Sequence, residues 1–305
     1  MQPLLDRRFL FVTGKGGVGK TTTAAALAWA LGQHGRRVLV TACDDKERIS
    51  TLFDRPPLTP EIHPVGHNVH AVKLVPDEAM REYGAMNLHS RAVFSAVFNR
   101  RMVQRFLGGV PGLSEWAMLG KAWYHSTENR PDGSPRFDSV IFDGPATGHA
   151  LNMLRVPQVI LDVAPPGILR RDAEHALEMF RDPRHTGVVV VALPEELPTT
   201  ETLELVGALR GELFMPVAEL VVNGVVEPLF SPEDRVKLVM LADLLPANPA
   251  EAALVVAAGR AVREELQATA LRRLAPLGLP QLTLPFLPGR ASSPEAISRL
   301  AEYFE

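Results

Sequence analysis

The sequence contains a single cysteine, Cys43, in 305 residues. One thiol excludes an internal disulfide, a CxxC zinc site and any multi-thiolate metal centre within the chain, and free burial in a strand is the expectation for it. Nowhere does an unbroken apolar run approach the roughly 20 residues needed to cross a bilayer. The segment from Met1 to Arg8 also lacks the basic-then-apolar order of a signal peptide, so a cytoplasmic location is expected. Strong charge of either sign is missing too. A formal net charge of -3 gives no general attraction to nucleic acid or anionic lipid, and no nucleic-acid partner is expected. The sequence shows no internal repeat and no low-complexity tract. What it has in quantity is apolar residue, 46% of the chain, which suffices for one large domain or for a domain with a sizeable insert.

The most specific signal is Gly14-Lys15-Gly16-Gly17-Val18-Gly19-Lys20-Thr21. It lies between a strand-like Phe9-Leu10-Phe11-Val12 and an alanine-rich helical stretch that starts at Thr22. Glycines allow backbone N–H groups to converge on phosphate oxygens, and the following helix adds the positive end of its dipole. In this pattern Lys20 reaches the β and γ oxygens as a point charge, and the Thr21 hydroxyl suits a Mg²⁺ ion bridging them. The bare pattern arises by chance in roughly one chain in a hundred of this length; the strand before it and the helix after it argue against chance. Gly14, Lys15, Gly16, Gly17, Val18, Gly19, Lys20, Thr21 and Thr22 are therefore the candidate nucleotide-phosphate contacts.

A second strand is expected over residues 37–42, followed by Asp44 and Asp45. A β-α-β unit with a phosphate loop at its first turn predicts a P-loop NTPase of the α/β class, with a mostly parallel sheet and helices on both faces. In such a sheet the strand before Asp44 is expected beside the phosphate loop. Residues 55–70 read as a connection, with a short strand near 69–74. From Pro76 to about Thr127 no strand pattern appears, and Val93, Phe94, Val97, Phe98, Met102 and Phe106 recur at helical spacing, with Arg100, Arg101 and Arg105 on other faces. One domain over residues 1–305 with a helical insert at 76–128 is the expected organisation. Strands return at 139–143, 188–193, 217–222 and 281–284, with a helix beginning near Thr199 or Thr200. Ser231-Pro232, Asn248-Pro249 and Ser293-Pro294 each set a capping residue before a proline at the first helical position, where its missing N–H matters least.

Phosphoryl transfer to water needs charge neutralisation, an in-line water and a group to orient it. Asp143, ending an apolar run, suits a carboxylate that organises Mg²⁺; a turn or helix-capping aspartate is the other reading. Asp44 and Asp45 could orient water or cap a helix over residues 47–52. Lys15 adds a second cation inside the loop. It is either a solvated surface lysine or a charge that reaches the phosphates of a second subunit facing this one.

Taken together, these residues resemble a known family. The loop with its extra Lys15 is similar to that of the deviant Walker A ATPases, which include septum-positioning, DNA-partition and nitrogenase iron proteins. Asp143-Gly144-Pro145-Ala146-Thr147-Gly148-His149-Ala150-Leu151 resembles the second switch, D-T-A-P-T-G-H-x-L, of the arsenical pump-driving and tail-anchored-protein-targeting ATPases. Leu193-Pro194-Glu195, Glu201-Thr202 and Val221-Val222-Asn223 resemble later landmarks of that branch. By this resemblance Lys15, Lys20 and Asp44 are the catalytic positions, with Asp44 orienting the attacking water. Thr21 and Asp143 fall on the metal side, and Asn223, Pro285 and Phe286 fall on the adenine side. The implied cofactors are ATP or ADP and Mg²⁺. The first switch departs from the family's D-P-A-H-x-x-S-D, reading Asp44-Asp45-Lys46-Glu47-Arg48-Ile49-Ser50-Thr51, and the branch's metalloid-binding and zinc-binding cysteines are missing.

The resemblance implies a dimeric ATPase, either a homodimer or a heterodimer with a related ATPase, that couples Mg-ATP hydrolysis to conformational change and partner handling. It leaves a membrane-protein client or a membrane partner open. The divergent first switch motivates the alternative of a weakly hydrolysing, nucleotide-dependent binding module, one half of a heterodimer.

Overall fold

A computed structural model describes residue 4 and residues 6–43, 47–87, 112–289 and 292–304. The chain runs β1 (Phe9–Gly14), α1 (Lys20–Gln33), β2 (Val38–Ala42), α2 (Ile49–Leu52), β3 (His63–Gly66), β4 (Val69–Lys73), α3 (Pro76–Asn87), α4 (Leu113–Thr127), β5 (Ser139–Ala146), α5 (Thr147–Val163), α6 (Ile168–Arg181), β6 (Thr186–Ala192), α7 (Glu196–Gly211), β7 (Val217–Val225), α8 (Pro232–Val239), α9 (Pro249–Leu274), β8 (Gln281–Pro285) and α10 (Pro294–Ala301). The strands form one sheet in the order β3-β4-β2-β5-β1-β6-β7-β8. All neighbours are parallel except β3 and β4, which are antiparallel.

Continuous apolar strands suit a sheet covered on both faces, because successive side chains point to opposite sides. On one face Leu10, Val12, Val38, Val40, Ile141, Val189 and Val191 pack with Leu27 and Leu31 of α1 and with Ile297 and Leu300 of α10. On the other, Phe9, Phe11, Leu39, Val140, Phe142, Val188 and Val190 pack with residues of α4, α5, α6 and α7. Phe11 stacks on Phe142 at 5.0 Å between ring centroids, and Phe9 lies 5.0 Å from Phe180 of α6. These rings lock the central strands β1 and β5 to the helices above them, so the loop that leaves β1 starts from a fixed point.

Several sequence expectations are corrected. β2 is not adjacent to β1: β5 lies between them and pairs with both. A parallel crossover helix spans one strand or two with the same hydrophobic pattern, so the pattern alone does not separate the two orders. Residues 63–66, expected in a connection, form edge strand β3, where Pro64 is tolerated because one side of the strand needs no ladder partner. The segment of Asp143 continues as strand to Ala146, which disfavours the turn and capping reading. α7 starts at Glu196, ahead of Thr199, because Pro198 sits in the first turn, where no intrahelical N–H bond is lost. The helix expected at 47–52 is only Ile49–Leu52. All three capping expectations hold: Ser231, Asn248 and Ser293 accept from the backbone N–H of Asp234, Glu251 and Ala296, each with proline next in the chain. The helix expected from Val93 to Phe106, with its arginines, lies outside the described residues, as do Asp44 and Asp45.

Candidate functional site

The loop of residues 15–19 leaves the carboxyl end of β1 and enters α1. Register pairs Gly14 with Ala146 of β5 and Val191 of β6, so the loop sits where the central strands end, the usual ligand edge of an open α/β sheet. Two glycines there are dictated by geometry. A Cβ on Gly14, at φ +151, would lie 2.1 Å from the carbonyl oxygen of Val191. One on Gly19, at φ +94, would lie 2.3 Å from Nδ2 of Asn223. Gly19 is the N-cap of α1, while Val18 is buried and anchors the loop. At Gly16 and Gly17 a Cβ would meet no described atom within 4 Å, so this stretch of backbone faces open space.

The side chains converge on that loop from distant parts of the chain. The Thr21 hydroxyl donates to Oδ2 of Asp143 at 2.7 Å. This brings a hydroxyl and a buried carboxylate from β5 together at the start of α1. Both are hard oxygen donors of the kind Mg²⁺ accepts, so the residues present fit a magnesium-bound phosphate. Among the described residues no group of three or more His, Cys, Asp or Glu is placed to hold a metal. Lys20 Nζ donates to the carbonyl of Lys15 at 3.1 Å, curling the ammonium over the loop it follows. Lys15 Nζ pairs with Oε1 of Glu201 on α7 at 2.5 Å, the two side chains being 28% and 37% exposed. Within this chain it is therefore a paired lysine, in place of the solvated one considered from the sequence.

Asn223, near the end of β7, donates from Nδ2 to the carbonyl of Val18 at 2.9 Å. Its neighbour Gly224 lines a cleft of about 450 Å³ together with Leu193, Pro194, Glu195, Arg263 and Phe286. Phe286 is 49% exposed, its backbone N–H bonds to Val225, and the Arg263 guanidinium stacks over its ring at 4.5 Å. Pro285 closes β8 opposite Val225. Of the three residues expected on the adenine side, Phe286 lines this cleft, Pro285 precedes it at the end of β8, and Asn223, next to the cleft-lining Gly224, is the one bonded to the loop. Thr22 follows within α1.

Cys43, expected in a strand, lies just after β2, half-buried, and its thiol donates to the carbonyl of Asp143 at 3.2 Å. The last described residue before Asp44 is therefore in contact with β5, the strand that carries Asp143. Beyond it, Glu47 binds the N–H and hydroxyl of Ser50 at 3.1 and 2.7 Å and the N–H of Leu58 at 3.0 Å. It serves its own segment.

Sequence reasoning missed Arg263, which has no motif around it. It also missed the buried pair Glu264 and Gln267 that supports the edge of the cleft. Gln267 bonds both the N–H and the carbonyl of Val226, and Glu264 accepts from Leu229, Phe230 and Arg260. Their spacing along α9 is the one signal, two long polar side chains on a face that also carries Ala261 and Ala270.

A family model described as anion-transporting ATPase matches residues 7–164. ATPase BagA of Mycobacterium tuberculosis is 30% identical over 236 residues, which is 75% of this chain and 68% of that protein. ATPase GET3 of Kluyveromyces lactis is 26% identical, covering 71% of each. The arsenical pump-driving ATPase of Escherichia coli is 29% identical over 71% of this chain, and the match covers 39% of that protein.

Proposed function

The chain belongs to the anion-transporting ATPase family, and from that premise we propose that it binds ATP with Mg²⁺ at the loop of residues 14–21 and hydrolyses it as a dimer. The observation that carries the reading is the meeting of Thr21 with Asp143 at 2.7 Å beneath a glycine loop bearing Lys15 and Lys20. Backbone N–H groups and the N-terminus of α1 take the phosphates, and Lys20 neutralises the β and γ oxygens. Thr21 and Asp143 are the residues that would hold the ion, which would supply charge neutralisation to the phosphates. Asn223, Pro285 and Phe286 take the adenine, for an amide can both donate and accept at the base edge. Asp44 orients the attacking water. Lys15, released from Glu201, acts on phosphate charge, its own or that of a second subunit. The chain is one domain, with residues 76–128 as the helical part that moves and meets a partner.

The test is Mg-dependent ATP turnover of the wild type, Lys20→Ala and Asp44→Asn. Both variants are expected to lose turnover, by about 10²-fold or more where an interaction acts on transition-state charge. Wild-type turnover no faster than that of Lys20→Ala overturns the assignment. The departures of residues 44–51 from the family's first switch favour one second reading, a chain that holds ATP and scarcely hydrolyses it, pairing with a more active relative. Tight ATP binding without turnover, with a heterodimer forming on nucleotide addition, supports that reading over the first.

A further inference from the structure

The contact between Lys15 and Glu201 joins residues 186 positions apart in sequence, at 2.5 Å. The other oxygen of the same carboxylate lies 3.5 Å from the hydroxyl of Thr147, a long contact. Thr147 opens α5, four residues after Asp143, and Asp143 accepts from Thr21. One segment, residues 143–147, therefore meets the start of α1 directly through Asp143 and Thr21, and reaches the loop lysine only through Glu201, which Thr147 faces. We propose that Glu201 is a positioning residue, which competes with phosphate for the Lys15 ammonium and yields it as residues 143–147 shift around ATP. This rests on the nucleotide-site reading above.

The physical argument is competition. Lys15 and Lys20 give the loop two cations, and Glu201 cancels one of them at contact distance. A triphosphate must win the Lys15 ammonium from a carboxylate before it gains that charge, so part of its binding free energy goes into breaking the pair. Both side chains are more than a quarter exposed, which limits the contact to the modest worth of a solvent-screened pair. Removing the carboxylate charge while keeping its shape, with Glu201→Gln, makes ATP bind more tightly, and only through Lys15.

Two measurements on the full chain decide the matter. Without nucleotide, acetylation of Lys15 by acetic anhydride, followed by mass spectrometry, is expected to be several-fold faster in Glu201→Gln than in wild type, because the paired amine is restrained and shielded. With Mg-ATP, Glu201→Gln is expected to lower KM for ATP by about two- to fivefold with kcat within about twofold, the range a screened ion pair supplies. Glu201→Asp, which keeps the charge, returns KM toward the wild-type value. In a Lys15→Met background, where affinity is read as the Kd for Mg-ATP by calorimetry because Lys15 belongs to the catalytic machinery, Glu201→Gln changes affinity no further. Equal acetylation rates in wild type and Glu201→Gln overturn the proposal, as does a change in calorimetric affinity for Mg-ATP of the same size with and without Lys15. If the wild type binds no ATP, the nucleotide-site reading falls and Glu201's role in nucleotide binding with it, while the acetylation rates still report whether the pair exists.

Discussion

Replacing Gly19 with alanine places two separable demands on the loop. The residue sits at φ +94, and an L-residue in left-handed backbone costs roughly 1–2 kcal/mol. The new Cβ would also lie 2.3 Å from Nδ2 of Asn223, so the amide must swing away and give up its 2.9 Å bond to the Val18 carbonyl. A hydrogen bond of this kind contributes about 1 kcal/mol, so Gly19→Ala should destabilise the chain by about 2–3 kcal/mol. Asn223→Ala removes the obstacle in advance. In that background only the backbone strain remains, and Gly19→Ala should cost about 1–2 kcal/mol. The coupling of about 1 kcal/mol exceeds the ~0.3–0.5 kcal/mol within which independent sites add. Urea unfolding of the four proteins, compared at equal slopes, measures it. Equal costs of Gly19→Ala in both backgrounds would refute the idea that the loop and β7 are fitted to each other through this amide.

Glu264 is almost fully buried, and although burial pushes its carboxyl up, the Arg260 guanidinium and the N–H groups of Leu229 and Phe230 hold it below the usual range. Glu264→Ala strands those donors and should cost about 3 kcal/mol or more in urea unfolding, the loss expected on breaking one side of a buried ion pair, with Glu264→Gln well below that figure. His125 is pushed below its ordinary value chiefly by burial, and Lys121 and Arg136 add to the depression while Glu128 opposes it. The unfolded chain takes up this proton first as pH falls, so stability is present above pH ~6.5 and drains below it toward the folded value. Unfolding free energies at pH 7.5 and 5.5 should differ less in His125→Gln than in wild type; an undiminished difference would remove His125 from the account.

How far the sequence could be read follows from the range over which each contact is decided. The strand, glycine loop and helix of residues 9–33 were legible because they are consecutive, and the strand of Asp143 because an apolar run is itself a local pattern, although it continues to Ala146. The proline caps at Ser231, Asn248 and Ser293 were legible for the same reason. The order of the central strands was not: β1, β2 and β5 have the same apolar texture, and only packing decides that β5 goes between the other two. That choice carries chemical weight. It sets Asp143 beside both β1 and β2, in register with Val12 and Ala42, so that one carboxylate meets Thr21 from one side while its carbonyl meets Cys43 from the other. Glu201 stood out in the sequence only as a landmark of the resemblance, with no sign of its pairing with Lys15, and Arg263 was silent, because each acts on a partner brought near by the far half of the sheet: β6 delivers α7 to Lys15, and β8 delivers Phe286 to α9. The residues that would touch the nucleotide announce themselves locally, whereas those that hold these residues in position are specified by topology, and a single sequence records topology only through packing that no short window contains.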